Sequence, residues 1–165
     1  HFKSKGHSVI ANDLQYYSFV LNKNYIENHK VLKFLGLGKD LEDLKNIEYE
    51  KRADFVCEFL DNLDLKEGFI YKNYCLGGTK NQEFKRQYFS DENGKKVDTI
   101  REKIEEWKKE KKINNNEYYF LLTTLIESID KVANTASVYG AFLKQLKKSA
   151  QKEFLMKNRT VLKLG

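Results

Sequence analysis

Apolar positions along the chain recur at helical rather than strand spacing over most of its length. Leu14, Tyr17, Leu21 and Tyr25 predict a helix over residues 13–31, and Phe19, Val20 and Ile26 widen its apolar face to more than one side. A weaker stripe of Phe55, Phe59 and Leu63 predicts a second helix over residues 50–62. Val97, Ile100, Ile104 and Trp107 draw a narrow apolar line along a charged helix that runs from a Ser90 cap to about residue 112. Glu105 and Lys109 add one favourable pair at four residues' spacing. Asn114-Asn115-Asn116 then makes a turn, with Asn114 as the cap and Glu117 in the first turn of the next helix. That helix, over residues 115–133, carries Tyr118, Leu122, Leu125, Ile126, Ile129 and Val132. The short polar turn makes these last two helices an antiparallel pair.

The pattern changes at both ends. Residues 1–5 read as the end of a helix, with Gly6 suited to its left-handed cap. Val9-Ile10-Ala11 reads as a buried strand, and Thr160-Val161-Leu162-Lys163-Leu164 as another. Gly36-x-Gly38 interrupts the helical pattern, and residues 64–89 have no clean period. The expected fold is therefore mostly α, a helical region flanked by short pieces of an α/β sheet.

Composition narrows the function. Apolar residues make up 41% and charged residues 33% of 165 residues, which suits one globular domain rather than a disordered chain. No apolar run approaches the ~20 residues of a membrane span, and no secretory signal pattern is visible. Cys57 and Cys75 form no Cys-x-x-Cys, and His1, His7 and His29 are far from them in sequence, so no metal site is expected and a reducing, cytoplasmic setting is. There is no proline, as a helix-rich chain allows.

The net charge of +6 is localised. Residues 141–165 carry seven Lys or Arg against one acid, Glu153, while the first 140 residues balance 23 basic against 23 acidic. This C-terminal segment, with Phe142, Leu143 and Leu146 among its lysines, is either a solvated basic helix face or a surface for phosphates. Lys144, Lys147 and Lys148 are its candidate contacts.

Two further constellations carry chemistry. Asp13 follows the first strand candidate directly. It either caps the following helix or supplies a carboxylate to ribose hydroxyls, as an acid at a strand tip does in nucleotide-binding α/β folds. In residues 68–89, Phe69, Tyr71, Tyr74, Phe84 and Tyr88 alternate with Lys72, Lys80, Lys85 and Arg86, and Gly77-Gly78 permits close backbone approach to a ligand. Aromatic faces stack on bases, while Lys and Arg hold phosphates or read guanine. An aromatic-stapled surface loop gives the same pattern.

Val9-Ile-Ala-Asn-Asp-Leu-Gln15, Gly68-Phe-Ile-Tyr-Lys-Asn-Tyr74, the stretch from Arg86 to Arg101 and Lys131-Val-Ala-Asn-Thr-Ala-Ser-Val-Tyr-Gly140 together resemble Dam-type adenine-N6 DNA methyltransferases, closest to restriction-modification members. The resemblance covers most of the chain. It implies a cofactor, S-adenosylmethionine, bound on an α/β sheet, with Asp13 and Leu14 at its ribose. It implies double-stranded DNA as partner, with Asn134, Thr135 and Tyr139 near it, although Ala136 and Ser137 depart from the family's segment there. The implied organisation is a remnant of the cofactor-binding domain over 1–31, a target-recognition insertion over 32–158 and a returning strand over 159–165. The family's glycine-rich loop belongs upstream of Phe2, and its Asp-Pro-Pro-Tyr motif downstream of Gly165. The expectation is therefore a fragment with no catalytic residue of its own and weak or absent cofactor binding. The alternative from the residues alone is a non-enzymatic helical DNA-binding or protein-interaction module.

Overall fold

The computed structural model describes residues 2–136 and 143–156. The strand expected over residues 160–164, and Tyr139 and Phe142, lie outside the described residues. Six α-helices are described: α1 Tyr16–Asn22, α2 Tyr49–Asp61, α3 Phe69–Tyr74, α4 Leu76–Thr79, α5 Asp91–Lys109 and α6 Asn115–Val132. The described residues contain an isolated parallel bridge between Cys75 and Phe89, and no strand ladder. The chain is mostly helical, as its periodicity requires. It divides into two compact units, one within residues 2–57 and 104–126, the other within residues 58–103, 127–136 and 143–156.

The first unit is organised by the start of α6. Asn114 Oδ1 accepts the Glu117 N–H at 3.0 Å, and Glu117 Oε2 accepts the Asn114 N–H at 2.9 Å. This reciprocal cap satisfies two otherwise orphaned donors. The other oxygen of the buried Glu117 carboxylate accepts the N–H of Phe34. Phe34 sits in the left-handed region at φ 48° with its ring fully buried, edge-on to Phe120 at 6.4 Å between ring centroids. A non-glycine residue holds that conformation only where its surroundings fix it, and here an ionic acceptor and a buried ring both do. Gly36 packs on the turn before α6 so closely that a Cβ would lie 2.2 Å from the Lys112 carbonyl oxygen. The interrupting Gly36-x-Gly38 is thus a tight docking point, wound as a 3-10 turn over Leu35–Leu37.

The N-terminal helix is shorter than its apolar pattern. Asp13 Oδ1 accepts the Gln15 N–H at 2.8 Å, so residues 13–15 form a side-chain-closed turn and α1 starts at Tyr16. At the other end α1 passes into a π-helical turn, Lys23–Glu27. The Lys3 ammonium donates to the carbonyls of Tyr25 and Asn28, at 2.9 and 2.8 Å, and takes over acceptors left by the ending helix. Gly6 closes the Lys3–Lys5 turn at φ 80°, as a left-handed cap. Val9-Ile10-Ala11 differs from expectation. It has no regular secondary structure and pairs with no described strand, and Ile10 and Leu14 are wholly exposed. A strand needs a neighbour to satisfy its backbone groups.

In α2 the buried ridge is Ala53, Val56, Cys57 and Leu60, while the expected stripe of Phe55, Phe59 and Leu63 is only half-buried beside it. In α5 all four expected residues are buried.

The second unit is built around α5. Ser90 Oγ accepts the Asn93 N–H at 3.2 Å and caps the helix. Asp98, buried on the face of α5, accepts the N–H groups of Ile70 and Tyr71 at 2.8 Å each and so caps α3 from a neighbouring helix. Gly77 and Gly78 serve this packing rather than a ligand. A Cβ on Gly78 would lie 2.0 Å from the Tyr71 carbonyl oxygen, and one on Gly77 would lie 2.2 Å from the Asp91 carboxylate. Gly94 likewise makes room for Cys75 Sγ. Burial pushes that thiol up to about 12, which leaves it protonated and unreactive near neutral pH.

Removing the Glu117 carboxylate strands two backbone donors, so Glu117→Ala is expected to lower unfolding free energy by about 3 kcal/mol, and Glu117→Gln by about 1 kcal/mol. Urea titration followed by circular dichroism measures both. Equal midpoints for Glu117→Ala and the parent chain would refute the organising role of this carboxylate.

Candidate nucleic-acid interface

Helix α3 and the loop after α4 carry the aromatic and basic residues together. The Tyr88 and Phe89 N–H groups both donate to the Tyr74 carbonyl, at 2.9 and 3.4 Å, tying the loop to the end of α3. The Tyr74 ring meets Tyr88 edge-on at 5.6 Å and Phe69 at 6.0 Å. Arg86 is half-buried. Its Nη1 donates to the Asn73 carbonyl at 3.3 Å, and its backbone is clamped on both sides by the Thr79 hydroxyl, at 2.9 and 3.4 Å. One of five guanidinium donors is thereby committed. Lys72, Lys80 and Lys85 are exposed, and Phe84 presents 69% of its surface to solvent between Glu83 and Lys85. Arg86 and Tyr74 are thus fixed anchors, flanked by exposed cations and one exposed ring.

The basic segment after α6 joins this surface through one side chain. Asn134 has no solvent exposure. Its amide nitrogen donates to the carbonyls of Gln87 and Leu143, both at 2.9 Å, and its Oδ1 accepts the Lys147 N–H at 3.0 Å. Its backbone N–H donates to the Tyr88 carbonyl at 2.7 Å, and its own carbonyl accepts the Leu143 N–H at 3.1 Å. The Asn134 side chain, expected near DNA, is turned inward in this structure. Both amide hydrogens and the amide oxygen have partners within the protein. Thr135 is half-buried, and its carbonyl accepts from Lys147 Nζ at 3.4 Å. Lys144 and Lys148 are exposed and Lys147 is half-buried.

Residues 143–156 are not helical, so a basic helix face is not what carries these lysines. Polar side chains hold the segment instead. Asn93, buried on α5, donates to the Lys152 carbonyl at 2.9 Å and accepts the Phe154 N–H at 2.9 Å. Asp61 accepts the Met156 N–H at 3.0 Å, and Lys96 pairs with Glu153 at 2.9 Å. Sequence reading missed Asn93. Its partners lie 59 and 61 residues away, so local spacing carried no signal of its role.

In the first unit, Asp13 is exposed beside an open groove of about 310 Å³ whose apolar walls include Val9, Ile10, Phe19 and Ile26. The N–H of Gln15 and the hydroxyl of Ser18 hold its carboxyl below the usual carboxylate range, so it is an ionised, acceptor-only group. The capping and ribose readings of Asp13 are compatible: it closes the turn before α1 through the Gln15 N–H, and a carboxylate has lone pairs enough to accept from a diol as well. Leu14 is fully exposed next to it. These residues fit a ribose contact of S-adenosylmethionine and no larger part of that cofactor. No group of three His, Cys, Asp or Glu among the described residues could hold a metal, and no described helix is long and apolar enough to cross a membrane.

The α3 surface thus combines tilted and edge-on aromatic rings with exposed cations, on a mostly helical body. The chain belongs to the D12 class of N6 adenine-specific DNA methyltransferases, whose family model matches residues 1–163. It is 51% identical over 152 residues to the type II methyltransferase M.NlaIII of Neisseria lactamica, covering 92% of this chain and 39% of that protein. It is 34% identical over 155 residues to M.CviAII of Paramecium bursaria Chlorella virus 1, covering 92% of this chain and again 39% of that protein. It is 33% identical over 151 residues to M.FokI of Planomicrobium okeanokoites, covering 88% of this chain and 21% of that protein. The chain thus spans well under half the length of these relatives. No solved structure matches it.

Asn134→Ala leaves two carbonyls and one N–H without partners at a buried point, a loss of about 3 kcal/mol or more. Limited trypsin digestion, read by mass spectrometry, is expected to cut after Lys144, Lys147 and Lys148 many times faster in this variant. Unchanged cleavage there would show that the basic segment is held by something else.

Proposed function

We propose that this chain is the DNA-contacting part of a site-specific, S-adenosylmethionine-dependent DNA adenine-N6 methyltransferase of a restriction-modification system, acting in the cytoplasm. The observation that carries the reading is the surface of α3 and the 80–88 loop, where Lys72, Lys80, Lys85, Arg86 and Phe84 sit on a frame tied by Tyr74 and Thr79 in a chain of this family. Phosphate contacts position such a protein and base contacts specify its sequence. The exposed lysines suit the first task. Arg86 and the rings suit the second, because a guanidinium reads guanine and an aromatic face stacks on an unpaired base. Adenine must leave the duplex to be modified, so a surface with exposed rings is chemically apt. Lys144, Lys147 and Lys148 extend the cationic area, held beside Tyr88 through Asn134.

The reading extends to the N-terminal segment. Val9-Ile10-Ala11 is a strand of the cofactor-binding sheet whose neighbours lie elsewhere in the whole protein, which accounts for the exposed Ile10 and Leu14. The organisation is then sheet-associated over 1–31, target recognition over 32–158 and a return toward the sheet over 159–165. Asp13 takes the cofactor ribose; the cofactor, when bound, supplies the methyl group.

Two measurements check this. Fluorescence anisotropy is expected to show the chain binding an adenine-containing duplex, with Lys85→Gln/Arg86→Gln weakening it at least several-fold. No binding at low salt by a chain shown folded by circular dichroism would favour a protein-interaction module instead. In the whole methyltransferase, Asp13→Asn is expected to raise KM for S-adenosylmethionine by roughly ten-fold or more, the worth of a charge-assisted hydrogen bond, while KM for DNA stays the same. An unchanged cofactor KM would remove Asp13 from the ribose.

A further inference from the structure

A second cationic groove lies in the first unit, away in sequence from the lysines and arginine of the α3 surface and the basic segment. It is formed by the 30–36 loop and the turn that leads into α6, and encloses about 650 Å³. Lys30, Lys33 and Lys111 line it and are exposed, while Lys112 lines it with its charge already answered by Asp40 at 2.7 Å and Glu110 at 2.8 Å. The one acid of the lining, Glu117, has both oxygens accepting backbone N–H groups. Among the described residues, three cations from two chain segments therefore face a groove whose one lining carboxylate is internally committed.

The groove is also stiff. Of the two left-handed non-glycine residues among the described residues, Lys111 at φ 57° lines the groove, and Phe34 at φ 48° is buried within the loop that forms its other wall. Gly36 locks one wall against the backbone of the other. Strained, well-fixed backbone of this kind is retained where the surroundings over-determine it, and it collects at ligand-holding sites.

We infer that this groove is a second contact for the phosphodiester backbone of duplex DNA, supplied by Lys30, Lys33 and Lys111. The inference rests on the DNA reading above and adds a site to it. The choice of backbone over bases follows from the side chains. Among the described residues the lining cations are all lysines, which meet phosphate as point charges, and the described lining has no arginine fork to read guanine and no aromatic ring to stack on a base. The α3 surface has both, so base contact falls to that surface, and this groove adds backbone contact to what the α3 lysines supply.

The test is the salt dependence of duplex binding by this chain, measured by anisotropy from low to moderate salt. Lys30→Gln/Lys33→Gln/Lys111→Gln is expected to flatten the slope of log K against log salt by about 2.7, roughly 0.9 for each phosphate that is no longer neutralised, equally for unrelated duplex sequences. Lys30→Gln/Lys111→Gln, which spares the Lys33 cation over the Tyr49 ring, is expected to flatten it by about 1.8 on the same rule. Lys39→Gln/Lys45→Gln/Lys51→Gln, three lysines of the same unit outside the groove lining, serves as control and is expected to leave the slope nearly unchanged. A groove variant with the control's slope, in a chain whose binding still responds to Lys85→Gln/Arg86→Gln, would overturn the groove and leave the DNA reading standing. A parent chain that binds no duplex would overturn both.

Discussion

The carboxamide of Asn134 is the point on which the interface depends. It stands at the end of α6 with no exposure to water and joins three pieces of chain that share no regular structure: Gln87 and Tyr88, Leu143, and Lys147. A buried amide with every group satisfied adds modestly to stability. Leaving those partners bare costs much more. That asymmetry makes Asn134 a specifier of geometry. It sets the loop that carries Arg86 and Tyr88 and the segment that carries Lys144, Lys147 and Lys148 in one fixed relation. Asn93 and Asp61 repeat the device further along, receiving or capping residues 152–156. A cationic segment that is neither helix nor strand is thereby ordered by polar side chains on α5, at the end of α6 and at the end of α2, with Ala150, Phe154 and Met156 as its buried apolar anchors.

The same logic governs the other unit. A reciprocal cap at Asn114 and Glu117 does more than start α6, because the Glu117 carboxylate also holds Phe34 in a conformation it would not adopt alone. Capping, loop docking and burial of an aromatic ring are settled by one side chain. The lysine groove follows from that arrangement, since its walls are the loop and the turn that Glu117 ties together.

What could be read from the sequence was what local spacing determines. The apolar line on α5, the Ser90 and Asn114 caps and the Gly6 turn all depend on residues within a few positions of one another, and all are present in the structure. Features that depend on distant partners were not legible. Gly77 and Gly78 look equally suited to a ligand and to a neighbouring helix, and only the positions of Tyr71 and Asp91 decide for the helix. The motif around Asn134 says nothing of the internal partners of its side chain, which lie up to 47 residues away. Val9-Ile10-Ala11 has strand composition, yet pairing is a property of two segments, and none of the described residues pairs with it. Membership of the adenine-N6 methyltransferase family was legible, because the matching stretches are contiguous and span nearly the whole chain.

The central claim is that Asn134 locks the basic segment as firmly as the helix it terminates. Amide hydrogen exchange resolved by residue tests this directly, because protection reports the free energy of local opening. The Leu143 and Lys147 amides, bonded to the Asn134 carbonyl and to its Oδ1, are expected to exchange as slowly as the Ala133 amide at the end of α6. Exchange of Lys147 at the rate of an unstructured chain, while Ala133 stays protected, would contradict the account.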